Sequence, residues 1–266
     1  SEGYPTCPII DARFIIDLDF TGTTFDVAYV DGDANDVSKY WVTDGDHAEA
    51  TFSYINIQAE LPAILTDVWV DFDNGIDADN RTGTPAYPFQ TIDYALSRIF
   101  ATVDNPITIH IVGPQAQAGL IDIVTDYVTV DGGNSTTAGG AILDGCTGCG
   151  LRNITIDGGG IVVYYAKEVT INNIVSQNSN EEYGGIWIVG SDGVIITGGS
   201  RFQNNERAGL LESSNNVKVL NSTIINNDYG FDLDKSDIFV ERVLFTNNNY
   251  SAIRSMPYSD SNTIEI

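Results

Sequence analysis

The chain has 266 residues, of which 37 are acidic and 12 basic, giving a formal net charge of −25. That balance disfavours nucleic-acid backbones and anionic membrane surfaces as partners, and it suits high salt or calcium, both of which screen self-repulsion. The acidity points away from a low-calcium cytoplasm, so the expected setting is extracellular, a cell surface or a virion surface; no stretch reaches the roughly 20 apolar residues of a membrane span.

Residues 1–66 show separated alternating strands, with Ile16, Leu18 and Phe20 on one face of Phe14–Phe20 and a second apolar set at Phe52, Tyr54, Ile55 and Ile57. Acidic turns separate them, and a small antiparallel β region is expected, serving as an appended domain or as an assembly or strand-exchange module. Next comes Asp71-Phe72-Asp73-Asn74-Gly75-Ile76-Asp77, followed by Asp79. Alternate carboxylates around a glycine turn can converge oxygen ligands on a hard cation, so Asp71, Asp73, Asp77 and Asp79 form a candidate calcium site. Pro88 and Thr91 suit a helix start, and Ile92, Ala95, Leu96 and Ile99 fall on one stripe, which predicts a short helix near 89–100.

Cys146-Thr147-Gly148-Cys149 lies in a glycine-rich turn with no helical pattern after it. Redox catalysis is disfavoured there, whereas a loop disulfide and two reduced thiols both fit. Cys7 is then the odd cysteine, and the two histidines, His47 and His110, make no familiar zinc spacing with the three cysteines. Sequons stand at Asn80, Asn134, Asn153, Asn221 and Asn249 and are candidate N-glycosylation positions.

From Gly160 onward one pattern returns. Its starts are Gly160-Ile161, Gly185-Ile186, Gly209-Leu210, Gly230-Phe231 and Ser251-Ala252, about 21 to 25 residues apart, the period of a solenoid. The second strand of each period reads Val169-Thr170-Ile171, Val194-Ile195-Ile196, Val217-Lys218-Val219 and Ile238-Phe239-Val240, with the outer two residues of each triplet facing inward. An asparagine ladder is expected at Asn204, Asn226 and Asn247, since asparagine tolerates a left-handed corner and can bond to its equivalent one coil away.

This coil pattern resembles the right-handed parallel β-helix of pectin-lyase-like proteins, and Asp71 to Leu96 resembles the opening motif of that superfamily, over roughly residues 68–266. The resemblance implies an all-β fold: a right-handed parallel β-helix over 67–266, with a helix capping its first coil, preceded by the antiparallel region. A bare solenoid end would expose core and unpaired strand edges, which is a physical reason for the cap. Lyases, hydrolases, tailspikes, adhesins and structural proteins share this scaffold, so fold alone does not select a function.

The resemblance also says where catalysis would sit, on the outer face of a strand. Galacturonan hydrolases of the superfamily use clustered aspartates with a histidine, and no histidine follows His110. Asp232 and Asp234, with Lys235 alongside, are the one carboxylate pair in the repeats to consider for acid–base work. A lyase would act on polyuronates, which a chain at −25 repels unless calcium or a basic cleft intervenes.

If Ile161, Ile186, Leu210, Phe231 and Ala252 point inward, then Val162, Trp187, Leu211, Asp232 and Ile253 point outward. Val162, Trp187, Leu211 and Ile253 would form an apolar row for a partner protein, self-association or a sugar ring. This phase sends Glu212 and Arg254 inward, a conflict it leaves standing. The resulting expectation is a non-catalytic structural or adhesion β-helix that forms or decorates an assembly. The alternative is a carbohydrate-active β-helix, a polysaccharide lyase or a polysaccharide-binding tailspike module.

Overall fold

The computed structural model describes the strands at residues 26–29 and 40–43, then residues 63–78, 80–113, 116–117, 120–180, 183–256 and 262–266. Two compact units divide the chain, Ser1–Pro62 and Ala63–Ile266. In the first unit Asp26–Tyr29 pairs antiparallel with Tyr40–Thr43. The strands expected at Phe14–Phe20 and Thr51–Ile57 lie outside the described residues.

The second unit is a parallel β-helix. A seven-stranded parallel sheet runs from Ile121–Ile123 to Ser251–Ser255. A thirteen-stranded sheet forms the other sides of the coil, and its main path runs from Val68–Val70 to Thr263–Glu265. Off that path, Arg201–Gln203, Thr223–Ile225 and Leu244–Thr246 pair in turn, because the later coils break their second strand in two. Each coil thus contributes one strand to the seven-stranded sheet and one or two to the other, and successive coils stack in parallel about 4.8 Å apart.

The core follows the alternation of the second strands. Val169, Ile171, Val194, Ile196, Val217 and Val219 are fully buried, and Ile238 and Val240 nearly so. The chain turns three times per coil, and each turn uses left-handed backbone. The first corner has Tyr165, Gly190, Ser213 and Lys235; the second has Asn153, Asn173, Gly198, Asn221 and Arg242; the third has Asn178, Asn204, Asn226 and Asn247. Asparagine dominates because its short amide tolerates this region best among residues with a Cβ.

Asn204, Asn226 and Asn247 occupy the expected left-handed corner, and Asn226 Nδ2 donates to Asn204 Oδ1 at 3.5 Å on the exposed side. A second ladder lies one residue further on, at the buried Asn205 and Asn227 and the half-buried Asn248: Asn227 Oδ1 accepts from Asn205 N at 3.0 Å, and Asn248 Oδ1 accepts from Asn227 N at 3.1 Å. Their Nδ2 groups donate to the carbonyls of Ser176, Phe202 and Ile224. The corner residue faces water; its successor points into the coil, where backbone polar groups need partners. A serine ladder does the same at the first corner, with Ser191 N donating to Ser214 Oγ and Ser214 N to Ser236 Oγ.

A helix at Ile92–Arg98 buries Ile92 and Ala95, with Thr91 as its N-cap accepting from Tyr94 N. It is shorter than the 89–100 span suggested by the apolar stripe, because Ile99 is already extended.

The inward row of the seven-stranded sheet corrects the sequence phase. The strands align Ile161, Ile186, Gly209, Phe231 and Ile253, so Gly209 takes a core position itself. A Cβ on Gly209 would lie 2.7 Å from Ile186 Cγ2 and 2.8 Å from Phe231 Cε1: the Phe231 ring fills the space. Leu211 therefore points inward and is fully buried, Ile253 joins the inward row, and Glu212 and Arg254 turn outward, which removes the conflict.

Gly209→Val is expected to destabilise the protein by about 1–3 kcal/mol through overpacking, with part of the loss restored by adding Phe231→Leu. Thermal melts of the single and double variants check this; additive losses would show that the two positions do not share one space.

Candidate functional site

The outer face of the seven-stranded sheet carries the row Asp122, Ile142, Val162, Trp187, Leu210, Asp232 and Arg254, followed by Asp144, Tyr164, Val189, Glu212 and Asp234. Of the expected partner row, Val162 and Trp187 lie here, while Leu211 and Ile253 do not. The apolar strip instead runs through Ile142, Val162, Trp187 and Leu210, with Asp122 and Asp232 at its ends.

Trp187 is its centre. Tyr183 stacks on it with ring centroids 3.6 Å apart, Tyr164 meets it edge-on at 6.2 Å, and its indole N–H donates to Glu212 Oε2 at 3.1 Å. Tyr165 packs edge-on against Tyr164 at 4.4 Å. The third-corner crossing is longer from Asn178 to Ile186 than from Asn204 to Gly209, and the added length brings Tyr183 over the strand.

Asp232 and Asp234 share the outward face, yet their surroundings differ. Asp232 is fully buried; Arg254 binds both of its oxygens, at 2.8 and 2.6 Å, and Arg207 Nη1 lies 3.2 Å from Oδ2. The Asp232 carboxylate raises the Arg254 guanidinium above its ordinary value. Arg254 also lies 4.1 Å over the Tyr229 ring, which stacks with Tyr250 at 4.8 Å. An aspartate enclosed by two guanidiniums is poorly placed for proton transfer. Asp234 is half-buried and Lys235 exposed at the corner.

Beside this face the third corner opens a groove of about 590 Å³ lined by Asn180, Asn204, Glu206, Asn226, Asp228 and Tyr250, among others. Arg207 and Tyr229 connect it to the sheet face.

The acidic turn is used by the backbone. Asp71 Oδ1 accepts from the N–H groups of Asn74 and Asp73, which holds its carboxyl below the ordinary range, while Asp77 accepts from Gln90 N, Thr91 N and Thr91 Oγ1. Asp73 is exposed, and Asp79 lies outside the described residues. Among the described residues no three His, Cys, Asp or Glu side chains converge as metal ligands. Cys146 and Cys149 form a disulfide. Of the sequons, Asn80, Asn134, Asn221 and Asn249 are exposed and Asn153 is half-buried; Asn153 Nδ2 donates to Asp131 and Asn249 Nδ2 to Asp228.

Sequence reasoning missed Tyr164, Tyr183, Glu206, Glu212, Tyr229 and Tyr250. The repeat gave no signal for them, since Tyr164 is in register with Asp144 and Val189, and Tyr229 with Arg207 and Ser251.

Asp232→Asn is expected to cost about 3 kcal/mol by leaving two guanidiniums uncompensated, with Asp234→Asn within about 0.5 kcal/mol, as measured by denaturant unfolding. Burial, with Asp144 and Asp93 nearby, raises the Asp122 carboxyl. A raised carboxyl costs stability as pH rises through its unfolded value of about 3.9. Asp122→Asn should therefore raise the melting temperature at about pH 7 and lose that advantage near pH 3.

No curated protein matches the chain, and no solved structure does. Residues 126–266 match the family model described as the right handed beta helix region. With that match covering more than half of the sequence and the coils stacked as described, the chain belongs to the right-handed β-helix family.

Proposed function

We propose that the protein is a non-catalytic, extracellular adhesion β-helix that binds a glycan on the outer face of its seven-stranded sheet. The observation that carries this reading is the Tyr183–Trp187 stack with Tyr164 beside it and Glu212 fixing the indole. Aromatic rings present apolar faces to sugar C–H groups, while neighbouring carboxylates and amides accept and donate to hydroxyls. Binding is favoured over catalysis because Asp232 is enclosed by Arg207 and Arg254, and both guanidiniums are engaged with it. The Cys146–Cys149 disulfide supports an oxidising setting.

Binding to an immobilised panel of neutral, acidic and basic glycans tests the reading. Trp187→Ala should weaken any retained glycan about tenfold, equivalent to about 1.4 kcal/mol, without changing the circular dichroism spectrum. A panel with no bound member would overturn it.

A further inference from the structure

We infer that the third-corner groove selects saccharides carrying free amino groups, an inference that rests on the glycan-binding reading. The groove is lined by two carboxylates, Glu206 and Asp228, by the amides of Asn180, Asn204 and Asn226, and by the rings of Tyr229 and Tyr250. Tyr250 is 71% exposed; one side of its ring stacks on Tyr229, whose ring also carries the Arg254 guanidinium. The Glu206 side chain is 50% exposed and touches the edge of Arg207 at 3.4 Å. Asp228 accepts from Asn249 Nδ2 through one oxygen, which orients its carboxylate in the groove wall.

The charge of the neighbourhood decides the ligand class. Among the described residues Arg207 and Arg254 are the cations beside the groove; Asp232 engages both, and Glu206 also pairs with Arg207. Against these two cations stand Asp232, Glu206 and Asp228, with Glu212 and Asp234 on the adjoining face, and the excess of carboxylates leaves a negative potential that repels uronates and attracts ammonium groups. An open tyrosine ring beside carboxylates also favours a cation through its quadrupole. The Asn204 and Asn226 amides lie one coil apart and, with that of Asn180, can hydrogen-bond sugar hydroxyls beside the ammonium.

The test is calorimetric titration, at moderate salt and mildly acidic pH, of the full chain with a β-1,4-linked glucosamine hexamer and with its fully N-acetylated counterpart. The free amine is expected to bind at least about tenfold more tightly. Glu206→Gln and Tyr250→Ala should each reduce that affinity about fivefold, while Asp104→Asn, at an exposed acidic position, changes it less than about twofold. Equal binding of the two hexamers would overturn the amine selectivity and leave glycan binding intact. An equal loss in Asp104→Asn would overturn the site by showing diffuse attraction of a polycation. If neither hexamer nor any panel glycan binds, the glycan reading fails as well.

Discussion

The structure depends on how each coil satisfies its backbone where the chain leaves the sheet. Strand residues pair with the coils above and below, but a left-handed corner turns one N–H group into the interior. Asn205, Asn227 and Asn248, and Ser191, Ser214 and Ser236, place side-chain oxygens at those points, so each coil completes its neighbour's hydrogen bonding. Apolar stacking alone would tolerate a slip between coils; these directional contacts fix the register.

That register creates the recognition face. Because Gly209 yields its core volume to Phe231, the next strand positions keep their phase, and Arg254 comes to lie beside Asp232. A two-residue alternation turns a single-residue shift into exchange of the inner and outer faces.

Most of the fold was legible in the sequence because the inward apolar pair of the second strand returns in every coil from Val169 to Val240. The inward pairs from Val169 to Val240 follow directly from alternation, and Ile92 and Ala95 from helical spacing. The first strands were harder to phase: glycine has no hydropathy signal of its own, so Gly209 was read as the start of a coil, Leu210 as inward and Leu211 as outward. The inward ladder was missed for a similar reason, since consecutive asparagines such as Asn204 and Asn205 have the same identity and opposite environments. The site was less legible still. Trp187 stood out, but Tyr183, Tyr229 and Tyr250 reach it or the groove through third-corner crossings of unequal length, and no fixed period reveals that convergence.

The three corners also divide the labour of the coil unequally. The second turns on a single left-handed residue in most coils and leaves little room for change, whereas the third varies in length and carries the groove. Diversity can therefore accumulate at one edge of the solenoid while the stacking surfaces remain constant. Such a chain is modular along its axis: a crossing exchanged in one coil would alter local recognition without requiring the others to repack.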